Sequence, residues 1–231
     1  MPKTVAIVQA RLGSSRLPGK ALRVLRKRTL LSHVLERAMA IQGVDLVVLA
    51  TSTQEPDGAV EQAGLDAGVQ VYRGPEKDVL SRMLEAAIAH DADVIMRVTG
   101  DCPLLCPEVA GAVLALYRQM NGFAYAWNDV RLSGYPDGTD VEVFSFEMLR
   151  GADMFSLEQD REHVTPYIRA QYRVETIRHD SDESRWKLSV DTQADYAFVT
   201  EVYRHLKPKE LTLQATLAAC HATQQQEKET V

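Results

Sequence analysis

VAIVQARLGSSRLPGKAL, residues 5–22, joins four consecutive apolar residues to a loop that carries Arg11, Arg16 and Lys20 among Gly13, Ser14, Ser15 and Gly19. A short, unbroken apolar run is the pattern of a strand buried on both faces, so Val5, Ala6, Ile7 and Val8 predict the central strand of a covered sheet. Cations set around small residues at the end of such a strand predict a cradle for an anion, with phosphate the leading candidate. The loop is not a Walker A motif: five residues separate Gly13 from Gly19, and Ala21 follows Lys20 where Ser or Thr is required. Nor is it a dinucleotide fingerprint, which needs a third glycine nearby.

Working outward, strands and helices alternate through the first half. A helix is predicted over 30–41, a strand over 45–51, a short helix over 55–68 closed by Gly68, and a strand over 69–74. A helix follows over 78–90 with Asp78 as its cap, then a strand within 92–99, then a helix over 107–119 with Pro107 in its first turn. This rhythm predicts an α/β fold, a mostly parallel, doubly wound sheet with helices on both faces. The second half departs from it. Residues 122–150 mix β-favouring residues with turn formers at Ser133, Gly134, Pro136, Asp137 and Gly138 and predict a β arm insertion, an extended arm or hairpin that leads back into the sheet. A helix over 158–170, a strand over 172–177, a strand over 186–191 and a helix over 192–205 complete a single domain of residues 1–221, with 222–231 expected to be a disordered tail.

Size and composition narrow the function. The chain has 231 residues, 45% hydrophobic and 25% charged, which is ordinary globular material. A net charge of −6 argues against a nucleic-acid binder, which needs a basic surface. No apolar stretch approaches a membrane span or a signal-peptide core, and three cysteines do not suggest a disulfide framework, so a cytoplasmic location is expected. Cys102 and Cys106 lack partners for a metal site.

Ligands of open parallel sheets bind beyond the carboxyl ends of the strands. Three charged features fall there: the cationic loop, Asp101 in TGDCP after the fourth strand, and Asp191 at the close of WKLSVD. Read singly, Asp101 is a turn residue and Asp191 a helix cap. Together they offer two hard oxygen ligands, which suits Mg²⁺ holding phosphate oxygens.

The segments IVQARLGSSRLPGKAL, VIMRVTGDCPLL, GYPDGTDVEVFSFEML, REHVTPYI and KLSVDTQADYAFV, in this order, resemble the cytidylyltransferases of the SpsF spore-coat polysaccharide type. These are related to the enzymes that activate Kdo, sialic and other nonulosonic acids as CMP-sugars. The resemblance runs from Thr4 to about Tyr203, and Gln9, Ala10 and Arg11 stand where sugar-phosphate nucleotidyltransferases carry a Gly-Gly loop. It implies a nucleotide-diphospho-sugar transferase-like fold and transfer of CMP from CTP to a sugar acid with release of pyrophosphate. Arg11, Ser14, Ser15, Arg16 and Lys20 would line triphosphate and ribose, with Arg16 and Lys20 acting at the α-phosphorus. Arg82 would lie near the cytosine and Asp101 and Asp191 would hold Mg²⁺. Asp140, Glu142 and His163 would bind the acceptor, and a homodimer would form through the arm. TGDCP replaces the Gln-Gly-Asp-Glu-Pro string of the Kdo enzymes and keeps its Asp. Three rival readings are a nucleotidyltransferase for a sugar or alditol phosphate or a phosphonate, a glycosyltransferase, and a non-catalytic CTP-binding protein. The Asp-X-Asp string usual in glycosyltransferases is absent from the fourth loop.

Overall fold

The computed structural model describes residues 2–229. Its first strand, β1 (Thr4–Gln9), is buried on both sides: Ala6 and Val8 pack into one apolar cluster, Val5 and Ile7 into another on the opposite face. The chain then forms the loop of residues 10–23 and a two-stranded hairpin, β2 (Val24–Leu25) and β3 (Arg28–Thr29). Next come α1 (Leu30–Met39), β4 (Leu46–Ser52), α2 (Gly58–Asp66), β5 (Gln70–Gly74), α3 (Val79–Ala89), β6 (Val94–Thr99) and α4 (Pro107–Gln119). Asp78 caps α3 through the Ser81 N–H at 2.9 Å, as its type and place predict. After α4 follow β7 (Ala124–Trp127), α5 (Val130–Ser133), β8 (Glu142–Ser145), α6 (Phe146–Phe155), α7 (Pro166–Gln171), β9 (Arg173–Thr176), α8 (Gln193–His205) and α9 (Leu213–Glu229).

Seven strands form one sheet in the order β5-β4-β1-β6-β8-β7-β9. Every neighbouring pair is parallel except those made by β8, which runs against β6 and β7. One core layer packs α1, α4, α8 and α9 on the sheet through Val34, Leu35, Val113, Val199, Val202 and Cys220. The other packs α3, α6 and α7 through Leu80, Met83, Leu149 and Ile168. The α/β class and mostly parallel sheet are as the sequence predicts. Among the described residues no helix is long and apolar enough to cross a membrane.

Residues 122–150 lead back into the sheet as expected, β7 and β8 lying inside it with Tyr125 and Phe144 fully buried; three other local expectations are corrected. The residues between these strands are sewn down by Asn128, which donates to the Thr139 carbonyl at 3.1 Å and accepts from the Val141 N–H at 2.9 Å. The helix expected over 158–170 is broken, because Pro166 cannot sit in a helix interior and instead opens α7. WKLSVD forms no strand; it is an extended strap bonded to the Asp137 backbone and, through the Val190 N–H at 2.8 Å, to the Asp101 carbonyl. Its alternating buried Leu188 and Val190 imitate a strand pattern. Of the expected disordered tail, residues 222–229 continue α9, whose Gln, Glu and Lys are good helix formers and whose Ala219, Cys220 and Thr223 are buried; Thr230 and Val231 lie outside the described residues.

A buried polar network locks the antiparallel strand. Glu142, 8% exposed at the start of β8, faces Arg97 of β6 across the ladder and accepts from its guanidinium at 2.5 Å. Its other oxygen accepts from the Tyr125 hydroxyl at 2.7 Å and the Thr165 hydroxyl at 2.9 Å, tying β8 to β7 and to the start of α7. Burial pushes the Glu142 carboxyl up, but Arg97 and the two hydroxyls together outweigh it and hold it below the usual carboxylate range. Removing one member of such a pair strands the other charge. Glu142→Ala is therefore expected to destabilise the fold by about 3 kcal/mol, with Glu142→Gln costing less because it keeps contacts to both hydroxyls. Urea denaturation midpoints of the wild type and the two variants check this; a wild-type midpoint in Glu142→Gln would show that the charge is irrelevant, and equal midpoints in the two variants that the hydroxyl contacts are.

Candidate active site

The loop after β1 is pinned before it is functional. Asp57, 3% exposed, accepts from the Leu12 N–H at 2.7 Å and from the Ser52 hydroxyl, fixing the loop to the carboxyl end of β4. Leu17 and Ala21 are each 3% exposed and anchor its middle in the core, while Gly19 adopts φ +70° at the turn that leads to Lys20. Gly100 makes room for the loop: a Cβ there would lie 2.6 Å from the Ala10 Cβ and 2.8 Å from the Gln9 carbonyl oxygen. A small residue at Ala10 and none at Gly100 are what bring the ends of β1 and β6 together.

Between these ends lies a cleft of about 280 Å³ lined by Gln9, Ala10, Arg11, Ser14, Ser15, Arg16, Lys20, Arg82, Asp101 and Asp191. Every residue predicted from the sequence for nucleotide and metal is thus in one place. At its centre the Lys20 ammonium donates to Asp101 Oδ2 at 2.7 Å and to Asp191 Oδ1 at 3.1 Å. Arg16 reaches the same Asp191 oxygen at 3.0 Å, and Lys187 its other oxygen at 3.2 Å. Burial favours the neutral amine of Lys20, but the two carboxylates outweigh it and hold the group above its ordinary value. Asp191 is also penalised by burial, yet Lys20 and Lys187 keep it below the usual carboxylate range.

Asp191 is not a helix cap. Thr192 caps α8 and forms a reciprocal capping box with Asp195, whose carboxylate accepts from the Asp191 and Thr192 N–H groups at 3.0 and 2.8 Å. The Asp191 side chain is thereby left to face the cleft. Asp101 and Asp191 come from distant loops and converge on a single ammonium, so their oxygens can meet at one cation. Among the described residues no group of three or more His, Cys, Asp or Glu is placed to hold a metal, but Mg²⁺ bound with a polyphosphate needs only one or two carboxylates. The donor set fits.

Arg82, on α3, is 2% exposed and donates to the carbonyls of Pro75 and Glu76, while its Nε has no partner. Burial, followed by the charge of Arg11, lowers its pKa. Arg11 is held across the cleft mouth by Glu76 at 3.0 Å and Glu162 at 3.2 Å. Gln9 gives its amide oxygen to Arg97 Nε at 2.9 Å, which leaves the amide NH₂ free to donate.

A second cleft, of about 320 Å³, shares Thr99 with the first and is lined by Arg97, Trp127, Asp129, Arg131, Asp137, Asp140 and Glu142. Asp140 accepts from the Gly138 N–H at 2.9 Å, and burial raises its carboxyl to about 6. Asp137 accepts from the Ser189 hydroxyl at 3.0 Å and is likewise raised by burial. Of the acceptor residues expected from the sequence, Asp140 and Glu142 are brought here, Glu142 with both oxygens already bonded to protein groups. His163 is not: it is exposed and lines neither cleft. Its neighbours act instead, Glu162 on Arg11 and Thr165 on Glu142.

Sequence reasoning missed Arg97, Asp57 and Lys187. Arg97 carried a signal, as a cation in the otherwise apolar run VIMRV, and Lys187 stands four residues before Asp191. Asp57 carried none, since its partners are set by the turn between β4 and α2.

Comparison with known proteins agrees with this geometry. Residues 5–218 match the family model described as "Cytidylyltransferase". The spore coat polysaccharide biosynthesis protein SpsF of Bacillus subtilis is 34% identical over 210 residues, covering 86% of this chain and 85% of that protein. A 3-deoxy-manno-octulosonate cytidylyltransferase of Anaeromyxobacter dehalogenans is 38% identical over 117 residues, about half of each protein (49% and 47%). Among solved structures, a cytidylyltransferase from Leptospira borgpetersenii superposes with a TM-score of 0.90 at 27% identity, covering 99% of this chain and 96% of that one. With its cationic loop, paired aspartates and mostly parallel sheet, this chain belongs to the cytidylyltransferase family.

Proposed function

We propose that the chain transfers CMP from CTP to a hydroxyl of a sugar acid of the Kdo or nonulosonic class, with Mg²⁺, for the synthesis of a surface polysaccharide. The observation that carries the reading is the convergence of Lys20, Arg16, Asp101 and Asp191 in one cleft at the carboxyl edge of the sheet. The acceptor oxygen forms a bond to the α-phosphorus, the bond from that phosphorus to the bridging oxygen breaks, and pyrophosphate leaves with the electron pair. Such transfers depend on in-line placement and on neutralising charge. Arg16 and Lys20 neutralise the phosphates, Ser14 and Ser15 donate to phosphate and ribose, Gln9 offers its free NH₂, and Arg82 lies on the side assigned to the base. Asp101 and Asp191 would hold Mg²⁺, which when bound supplies further charge neutralisation at the phosphate oxygens and lowers the pKa of a bound hydroxyl.

The second cleft suits a polyhydroxylated acceptor. Its two cations are spent within the protein, Arg97 on Glu142 and Arg131 on Asp129 at 3.2 Å, while Asp137 and Asp140 are acceptors for hydroxyl groups. A phosphorylated acceptor would meet carboxylates there, which favours the sugar acid over a sugar or alditol phosphate. The acid's own carboxylate, beside the reacting hydroxyl, falls on the cationic side where the two clefts meet.

Pyrophosphate release with CTP, UTP, ATP and GTP against Kdo, nonulosonic acids, sugar phosphates and phosphonates tests the reading. Turnover confined to CTP and a sugar acid supports it, and turnover with a phosphorylated acceptor overturns the assignment of the second cleft. Lys20→Ala is expected to lower kcat by about 10²–10³-fold with the fold retained, and wild-type turnover would remove the loop from the mechanism. Asp191→Asn is expected to shift the Mg²⁺ titration to higher concentration, whereas an unchanged titration would exclude this carboxylate as a ligand.

Asp140 adds a pH signature. Its folded-state value of about 6 lies above the ordinary 3.8, so between these values the folded protein holds a proton that the unfolded chain lacks. Stability is then expected to fall as pH rises through this window, while acceptor KM rises as pH falls through 6 and the carboxylate is lost. Asp140→Asn should flatten both profiles; a KM profile unaltered by the substitution would assign the titration to another group.

A further inference from the structure

Beyond the end of α8 opposite to Asp191 lies a cavity of about 370 Å³, between the β2–β3 hairpin, α1 and the segment joining α8 to α9. Arg26, Lys27, Arg28, Arg37, Lys207 and Lys209 line it, against the carboxylates of Glu36 and Glu210, in a chain whose net charge is −6. Most of this positive charge is uncompensated. Arg28 pairs with Glu36 at 2.7 Å, and Lys207 stands 3.9 Å from Glu210. Arg26 spends one N–H on the Leu206 carbonyl. Lys27 and Lys209 make no ion pair among the described residues. Arg37 is 2% exposed, and its guanidinium donates to the carbonyls of Leu105 at 3.0 Å, Glu210 at 3.1 Å and Leu211 at 3.5 Å without any carboxylate. Its charge is met by carbonyl dipoles and the Tyr203 hydroxyl and by no paired carboxylate, an arrangement that an added anion would complete.

The backbone gives a second, independent sign. Among the described residues six other than glycine adopt positive φ. Asp91 and Asn121 are of the types that tolerate it. Of the remaining four, three line this cavity: Arg26 at +47°, Lys27 at +71° and Lys209 at +64°. A hairpin turn of this kind is met most cheaply by Asn-Gly, and backbone strain at long side chains is the sort of cost that collects at functional positions. Here it holds three cationic stems at the rim of one cavity.

We propose that this cavity is a second anion site, separate from the nucleotide cleft, that binds a compact soluble ligand carrying several phosphate charges. Its volume is within the range of small-molecule sites. Its cations are mostly long, point-charge or forked donors, the types that recognise phosphate oxygens. The thirteen residues of α8, roughly 20 Å of helix, run between Thr192, beside Asp191, and His205, two residues before Lys207, so one ligand cannot occupy both places.

Calorimetric titration of the full chain with inorganic tripolyphosphate tests the proposal. The wild type is expected to bind two equivalents. The double variant Lys27→Glu/Lys209→Glu should lose one of them, with at least a tenfold drop in affinity at that site, while its melting temperature and its pyrophosphate release stay near wild type. Lys20→Ala should weaken the other equivalent and leave this one intact. One equivalent in the wild type, abolished by Lys20→Ala, overturns the proposal, as does a folded Lys27→Glu/Lys209→Glu protein that binds tripolyphosphate like the wild type. Matching affinities for tripolyphosphate and ATP at the Lys27 site would assign recognition to the phosphates alone, and tighter ATP binding would assign the site to a nucleotide.

Discussion

The ammonium of Lys20, held between Asp101 and Asp191, is the contact on which the rest of the site depends. It joins the loop after β1, the turn after β6 and the strap that ends at α8, three segments far apart in sequence. Two carboxylates facing one cleft repel each other, and the cation between them offsets that repulsion, while the Val190 N–H bond to the Asp101 carbonyl ties their segments through the backbone. The lysine thus holds together the two carboxylates that would hold a metal. Lys187 and Arg16 share the Asp191 oxygens, so the charge of that carboxylate is compensated from three sides.

Precision at this centre is supported from behind. The pairing of Arg97 with Glu142 lies directly beneath the junction of the two clefts, and through Gln9 it reaches the first residue of the cationic loop. The two oxygens of Glu142 are bonded to three partners on β6, β7 and the start of α7, which fixes the carboxylate at the wall of the second cleft. Thr165 can reach it because the chain reverses at Val164, where φ is +68° and the Thr165 N–H bonds the His163 carbonyl at 2.8 Å. That tight turn buries Val164 and leaves His163 outside, which is why the residue with the most familiar catalytic chemistry in REHV is the one that takes no part in the clefts.

The parallel half of the fold and the nucleotide residues were legible because both are local. An apolar run followed by a charged loop fixes a strand end, and strand ends in a parallel sheet share one edge, so Arg16, Lys20, Asp101 and Asp191 could be gathered without knowing any distance. What escaped was long-range. The pattern of 122–150 shows β-favouring residues and turns that lead back into the sheet, but the position and antiparallel direction of β8 are decided by partners such as Arg97, 45 residues before Glu142. WKLSVD alternates like a strand because it is a strap with one buried side, and nothing in its composition says that its backbone bonds go to the Asp137 and Asp101 segments. The end of α9 is polar enough to pass for a tail, and only its packing against α8 through Ala219 and Cys220 makes it a helix.

The reversal of one strand explains how a single sheet edge carries two clefts of different character. In a wholly parallel sheet every loop at the carboxyl edge follows a strand, and helix N-termini and strand-end cations gather on the same side. Because β8 runs the other way, it enters the sheet at this edge, and the residues that precede it, Asp137 and Asp140, are delivered where a parallel strand would have delivered its exit loop. The edge is therefore cationic over β1 and acidic over β8, with Thr99 at the boundary. The proposed reaction would set a triphosphate beside a polyol, and the antiparallel strand supplies the change of sign that such a pair needs.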